Sequence, residues 1–281
     1  FVKKYDNDNN QASRDAYKAK LKKLRDYTGG KLSFDDLDVR FVRNYINHLV
    51  TEHKNSVNGY AVDLRKIRAI YIAASKEGFA DRNKNPFIHV KIKTEKTKKE
   101  RLTKEELELI RKADIDGYLV DARNIFLFCV NCMGMRIGDA MRIKWANISD
   151  DYILYSMNKT KDAISIKMTS EVKKIVGYYK GKTDFYVFPY LQKDCNEYEV
   201  IKTKTALVNK ALKLISGKAT VNKKVSTHIS RHTYAQLALN SGADPRVLQK
   251  AFGHSTYTTT ENYVGELSFK EVNDLNDSIF D

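Results

Sequence analysis

The sequence predicts a mainly α protein with one small antiparallel β-sheet, divided into two domains. Apolar residues recur at three- and four-residue steps in both halves, two short alternating runs sit in the middle, and a single charged, apolar-poor stretch separates the halves. In the first part the stripes Tyr17, Leu21, Leu24 and Leu64, Ile67, Tyr71, Ala74 each mark one face of a helix, and three or four helices are expected there. Beside the first stripe runs a basic one, Arg14, Lys18, Lys22, Arg25, which at helical spacing forms a ridge able to follow a phosphate backbone. A solvated helix face has the same pattern, so the ridge alone leaves both readings open.

Residues Lys91 to Arg101 hold six basic residues and two acidic ones with almost nothing apolar, the composition of an extended linker. We divide the chain into a helical domain at 1–93, a linker at 94–100 and a second domain at 101–281. Thr103 with Glu106 three residues later is a capping box that opens the first helix of the second domain. An apolar helix follows around Ile125 to Met133; Gly134 stops it, and Arg136 begins the next. The alternating runs Tyr152 to Ser156 and Ala163 to Met168 read as two strands joined by the lysine-bearing turn Asn158-Lys159-Thr160-Lys161-Asp162. From Glu171 helical patterning returns and is expected to last nearly to the end. Asp244 followed by Pro245 is an N-cap with a first-turn proline, and Gly253 closes that helix.

Composition narrows the function. The 281 residues include 50 Lys+Arg against 35 Asp+Glu, a net charge of +15 and a pI near 9.5, which points to a polyanionic partner. The charge is uneven, with residues 1–100 at net +10 and the rest at net +5. With 42% hydrophobic and 11% aromatic residues, the chain can bury a core, which excludes disorder throughout. The longest apolar stretch, Ile125 to Met135, is interrupted by Asn131 and falls short of the roughly 20 residues a membrane span requires. Three cysteines make neither a disulfide framework nor a four-ligand zinc site, and they fit a reducing cytosol. No signal peptide is visible, and because the chain opens on Phe1 without an initiator Met, further sequence is expected before it.

The chemistry-bearing stretch is Thr227-His228-Ile229-Ser230-Arg231-His232-Thr233, followed by Gly253-His254-Ser255 and then Tyr263. His228 and Arg231, three apart on a helix, project from one face and can share a ligand. With Arg136 in Met135-Arg136-Ile137-Gly138-Asp139-Ala140 and Lys159 on the hairpin turn, these residues resemble the tyrosine recombinase (phage integrase) family. Its pattern is an early Arg, a hairpin Lys, a His-x-x-Arg pair, a second His after Gly and a Tyr nine residues on. In this sequence those positions are Arg136, Lys159, His228, Arg231, His254 and Tyr263. The match runs over about residues 101–265, and the basic helical first part suits the family's core-binding domain, leaving a mixed α/β catalytic domain of tyrosine recombinase type. One departure is Lys167-Met168, where many relatives carry Pro-Leu.

The resemblance implies an enzyme that cleaves and rejoins DNA strands through a 3′-phosphotyrosyl intermediate, with no cofactor and no metal. Such a transfer needs a nucleophile, a base for its proton, cations around the transition state and an acid for the departing sugar oxygen. Tyr263 is then the nucleophile, and its phenol needs help because a free one has a pKa of about 10. His228 is the base, and Arg136 and Arg231 present planar forks to the non-bridging oxygens. Lys159 protonates the leaving 5′ oxygen and His254 donates to the phosphate. Lys161 is the rival in the same turn, and the family's Lys-Thr order favours Lys159. Asp139, one helical step from Arg136, is expected to orient that arginine or its neighbours, and His232 to be structural. Taken singly, each of these has an ordinary reading as a surface or packing residue.

The resemblance further implies double-stranded DNA as the partner, a homo-tetramer on DNA with a monomer without it, accessory DNA-bending proteins, no membrane and a bacterial, nucleoid-associated cytoplasmic setting. Integration or excision of a mobile element is the expected task, and an arm-binding domain before Phe1 would accompany it. The alternatives are a non-catalytic DNA-binding regulator of the same fold, an Xer-type enzyme or a type IB topoisomerase-like enzyme. In the tail, Val272, Leu275 and Ile279 at helical steps form a stripe that packs on its own domain or on a neighbouring subunit.

Overall fold

The computed structural model describes residues 11–97, 99–253, Thr256 and Thr260. The chain separates into two compact units, Phe1–Lys98 and Lys99–Asp281. In the first unit, helices α1 (Gln11–Thr28), α2 (Val39–Thr51) and α3 (Val57–Lys76) are followed by two short 3₁₀ turns, Arg82–Lys84 and Pro86–Ile88. Asp38 caps α2 by accepting from the Phe41 amide, and Ser56 caps α3 by accepting from Gly59. The core gathers Leu24, Val42, Tyr45, Leu49, Leu64, Ile67 and Tyr71, the periodic positions of the three helices. Within this unit α1 is tied to α3 electrostatically. The Asp63 side chain is 1% exposed and meets Lys20 Nζ at 2.5 Å and Lys23 Nζ at 3.1 Å, with the Asn55 amide at 3.3 Å. Those two lysines are thereby occupied, while Lys18, Lys22 and Arg25 of the basic ridge remain exposed. The fourth member, Arg14, lies 3.8 Å from Asp15.

The second unit holds α4 (Lys104–Lys112), α5 (Tyr118–Asn131), the short α6 (Ile137–Met141), a three-stranded antiparallel sheet, α7 (Ser170–Tyr179), α8 (Glu197–Lys218), α9 (Ile229–Asn240) and α10 (Pro245–Phe252). Thr103 and Glu106 form the expected capping box on α4. Helix α5 is buried nearly all round, from Leu119 through Ile125, Phe126 and Phe128 to Val130, and α6, α7, α8 and α9 pack on it. Cys129 and Cys132 are free thiols in this core, and burial pushes both upward in pKa. The sheet runs β1 (Ile148–Ser149), β2 (Tyr152–Ser156), β3 (Ala163–Lys167), with Ile153 opposite both Ile148 and Ile166. Ile153 and Ile166 face the core, while Tyr152 and Leu154 face outward.

The structure matches the expected class, mainly helical with a small antiparallel sheet, and differs in local detail. The apolar helix ends at Asn131 because Met133 (φ 54°) and Gly134 (φ 65°) turn the chain left-handed. Strand β3 stops at Lys167, one residue early, where the Met168 amide donates to Asp151 O at 2.7 Å. The third strand, β1, is too short to show a period. Helical structure does not run unbroken from Glu171: residues 180–196 are irregular, since Gly181 (φ 76°) leaves the helical path and the segment pairs with the 143–145 stretch instead. There Trp145 N donates to Phe185 O (3.1 Å) and Val187 N to Ile143 O (2.8 Å).

The Asp63 cluster predicts an asymmetry. Replacing both lysines (Lys20→Met with Lys23→Met) strands a buried carboxylate and should cost about 3 kcal/mol or more. Asp63→Asn releases two half-exposed lysines to water and should cost about 1–2 kcal/mol. Urea unfolding followed by far-UV circular dichroism ranks the two, and equal losses would show that the carboxylate is not the stranded group.

Candidate active site

The tight turn at Met133-Gly134 delivers Arg136 to the N-cap of α6. Gly134 is required twice over. Its φ is 65°, and a Cβ there would lie 3.1 Å from both Arg231 Cα and Phe252 Cε1. That close approach lets Arg231, 5% exposed on the first turn of α9, donate from Nη1 to Gly134 O at 3.2 Å. Its other terminal nitrogen donates to Phe252 O at 2.6 Å, and its guanidinium carbon lies 3.9 Å over the Phe252 ring. Arg136 Nη2 reaches the same carbonyl oxygen at 3.5 Å, a weak contact. Two cations from distant parts of the sequence therefore converge on one carbonyl at the end of α10. Helix C-termini carry unsatisfied carbonyls and partial negative charge, which favours cations there.

The hairpin turn reaches the same place. Its ends are closed by Met157 N to Asp162 O (2.9 Å) and Lys161 N to Met157 O (2.8 Å), with Lys161 in the left-handed region at φ 64°. Lys161 Nζ folds back to Asn158 Oδ1 at 3.3 Å, whereas among the described residues none bonds the exposed Lys159 amine. Gly253 caps α10 at φ 59°, and a Cβ on it would strike Met157 Cε at 2.7 Å and Thr160 Oγ1 at 3.0 Å. The turn and the α10 terminus thus meet in van der Waals contact. His254 and Tyr263, like the tail with Val272, Leu275 and Ile279, lie outside the described residues.

His228 sits at the N-cap of α9, one residue before the helix proper, in αR conformation at φ −76°. The expected His-x-x-Arg pair on one helix is therefore a cap residue plus a helical one, still in a helical bend, so the two remain neighbours. The approach to the cap is held by Thr227 N donating to Asn209 Oδ1 of α8 (2.8 Å). Although His228 is open to solvent on one side, packed protein on the other strips water from the ring. That desolvation, followed by the positive charges of Arg231, Lys99 and Arg136, lowers its pKa below 6.5. His232 lies beneath it, edge to face at 4.7 Å between centroids. Burial and then His228 push His232 down to about 4, so it remains neutral at physiological pH, consistent with a structural part.

Asp139 has a role that spacing only hinted at. It is 4% exposed, and its Oδ1 accepts from the Asn158 amide at 3.1 Å, holding the residue next to Lys159. Among the described residues its Oδ2 has no hydrogen-bond partner, and burial raises its pKa against the opposing pull of the Asn158 amide, Arg136, Arg142 and Arg231. Met157 and Phe252, which touch the arginines, carry no sequence signal that would have singled them out.

Among the described residues no group of three or more His, Cys, Asp or Glu is placed to hold a metal ion. What the arrangement offers is two guanidinium forks, an exposed amine and a neutral imidazole, a set suited to an anion with several oxygens.

Comparison with known proteins supplies the context. Residues 100–268 match the model of the phage integrase family, and residues 1–93 that of the phage integrase SAM-like domain. The chain is 26% identical over 254 residues to the tyrosine recombinase XerC of Pediococcus pentosaceus, covering 84% of this chain and 80% of that protein. Among solved structures, the Tn1549 transposon integrase in complex with a circular intermediate DNA superposes with a TM-score of 0.73 at 17% identity, covering 96% of this chain and 93% of that one. A lambda integrase tetramer bound to a Holliday junction gives a TM-score of 0.68 at 17% identity, covering 90% and 71%.

The buried Asp139 carboxyl makes stability depend on pH. Its folded pKa is raised, so the folded state holds the proton more tightly than the unfolded one, and stability declines as pH rises from 3.8 through the raised value. Asp139→Asn removes that ionisation cost. At neutral pH it should melt no lower than the parent, with the difference shrinking as pH falls toward 3.8. A variant melting well below the parent at neutral pH would mean that the arginines outweigh the cost of burial.

Proposed function

The chain belongs to the phage integrase family, and on that premise we propose how it breaks and rejoins DNA with the residues named above. It is a tyrosine recombinase acting at specific DNA sites. In the proposed step the phenolic oxygen of Tyr263 attacks the scissile phosphorus, the bond from phosphorus to the 5′ oxygen breaks, and a 3′-phosphotyrosyl link forms. The proton leaves Tyr263 for His228, and the 5′ oxygen takes one from Lys159. Attack by the freed 5′ hydroxyl of another strand reverses these transfers, so the phosphodiester energy is kept in the covalent link.

The observation that carries this reading is the meeting of Arg136 and Arg231 on Phe252 O beside the Lys159 turn. Two guanidinium cations held at one place supply the planar positive forks that stabilise phosphate oxygens, where negative charge grows in the transition state. The lowered pKa of His228 keeps its ring unprotonated at neutral pH, the form that accepts a proton. The family's order of residues, in which a His follows Gly253 directly, supports a hydrogen bond from the His254 imidazole to the phosphate.

We assign the task to integration and excision of a mobile element, by a tetramer around two DNA segments with accessory DNA-bending proteins, in a bacterial cytoplasm at the nucleoid. The SAM-like domain of phage integrase type and the tetrameric relative on a Holliday junction support this. Likeness to XerC favours the second reading, resolution of chromosome dimers. Sequencing the DNA ends trapped covalently in cells separates them: element ends support the first, a single chromosomal site the second.

On a suicide substrate, Tyr263→Phe should bind DNA as tightly as the parent and form no covalent adduct, and an adduct that persists in that variant removes the nucleophile assignment. Arg231→Ala should slow cleavage by about 100-fold or more. The His228 assignment also predicts a pH profile. Single-turnover cleavage should hold its rate as pH drops through 6.5 and fall only below it, and a rate already halved at or above pH 6.5 would count against His228 as the base.

A further inference from the structure

We propose that Met157 is a positioning residue that sets the general-acid turn in register with the phosphate-binding arginines, an inference that rests on Lys159 acting as the acid. Met157 stands where β2 gives way to the turn. Its backbone closes both ends of that turn, donating to Asp162 O at 2.9 Å and accepting from Lys161 N at 2.8 Å. The residue is 2% exposed. Sδ lies 3.6 Å from Arg136 Nη1, a distance at which a thioether accepts a weak hydrogen bond. The terminal methyl covers Gly253, so closely that a Cβ there would lie 2.7 Å from it.

One side chain therefore touches Arg136 and the α10 terminus at Gly253 while its own backbone closes the Lys159 turn. The rest of the turn has little to hold it. Asn158, Lys159, Lys161 and Asp162 are all exposed, Thr160 lies against Gly253, and among the described residues a further tie to the arginine side is the bond from the Asn158 amide to Asp139. A lysine on a two-stranded turn needs such a registration, because displacement of a reacting group by about 1 Å costs on the order of 100-fold in rate. Methionine fits the place because its unbranched, polarizable chain fills the irregular gap between a guanidinium and a glycine. Gly253 and Met157 are complementary in size, which gives the glycine a second purpose besides its left-handed conformation.

The test uses two DNA substrates, an ordinary duplex and one with sulfur in place of the bridging 5′ oxygen at the scissile phosphate. A thiol has a pKa of about 8.5, so the sulfur departs without an acid. Met157→Val removes the contacts with Arg136 and Gly253. It should bind DNA normally, cleave the ordinary duplex about 10- to 100-fold more slowly than the parent, and cleave the sulfur substrate at the parent's rate. Met157→Leu, which keeps the volume, should show the same pattern with a smaller loss. Cleavage of the sulfur substrate itself reports a folded enzyme. Parental rates on the ordinary duplex for Met157→Val, or equal losses on both substrates for both variants, overturn the proposal. Lys159→Ala serves as the reference. If sulfur fails to restore it, the acid assignment falls, and with it the route by which Met157 acts; if sulfur restores Lys159→Ala but neither Met157 variant, only the role of Met157 falls.

Discussion

The second unit is organised around one backbone carbonyl, that of Phe252 at the end of α10. It receives Arg231 at 2.6 Å and Arg136 at 3.5 Å, and so holds two like charges side by side where they would otherwise repel. Part of the offset is the negative end of the α10 dipole, part is the face of the Phe252 ring under Arg231, and part is the buried Asp139 carboxyl. None of these is a tight ion pair. A carbonyl takes a single N–H of a guanidinium, whereas a bidentate carboxylate would occupy the fork that a phosphate needs.

Close packing of backbone on backbone makes that convergence possible. Gly134 allows the chain before α6 to lie against the first turn of α9, and Gly253 allows the hairpin turn to lie against the end of α10. Both glycines also adopt positive φ, so a larger residue would meet steric and conformational opposition together. The buried helix α5 supports the whole by giving α6, α7, α8 and α9 a common surface on which their relative positions are set.

Electrostatics then divides the ionisable groups by task. His228, exposed on one side and crowded by cations, is kept neutral without being sealed away, while His232 beneath it is buried and stays neutral further into acid. In the first unit the opposite logic applies. Asp63 takes Lys20 and Lys23 out of service as surface charges to lock α1 to α3, leaving Lys18, Lys22 and Arg25 exposed along the same helix. Burial thus takes the neighbouring Lys20 and Lys23 into the structure and leaves the ridge residues Lys18, Lys22 and Arg25 at the surface.

The sequence by itself determined what local physics can determine. Helical periods, the Thr103–Glu106 capping box, the Asp244-Pro245 start and the Gly253 stop were legible because caps and amphipathic stripes are written within a few residues. The family and its candidate residues were legible because Arg136, Lys159, His228, Arg231, His254 and Tyr263 keep a characteristic order and spacing. Less legible were the two-residue strand β1 and the irregular stretch 180–196, whose backbone partners lie some forty residues earlier at 143–145. His228 as a cap rather than a helical residue escaped for a related reason, since the tie between Thr227 and Asn209 comes from another helix. Only the tertiary structure decided that Phe252 O would gather both arginines, that Asp139 would hold the turn by Asn158, and that Met157 would stand between Arg136 and Gly253. Those contacts join residues from 19 to 116 positions apart, and no local pattern encodes a meeting that depends on how whole elements pack.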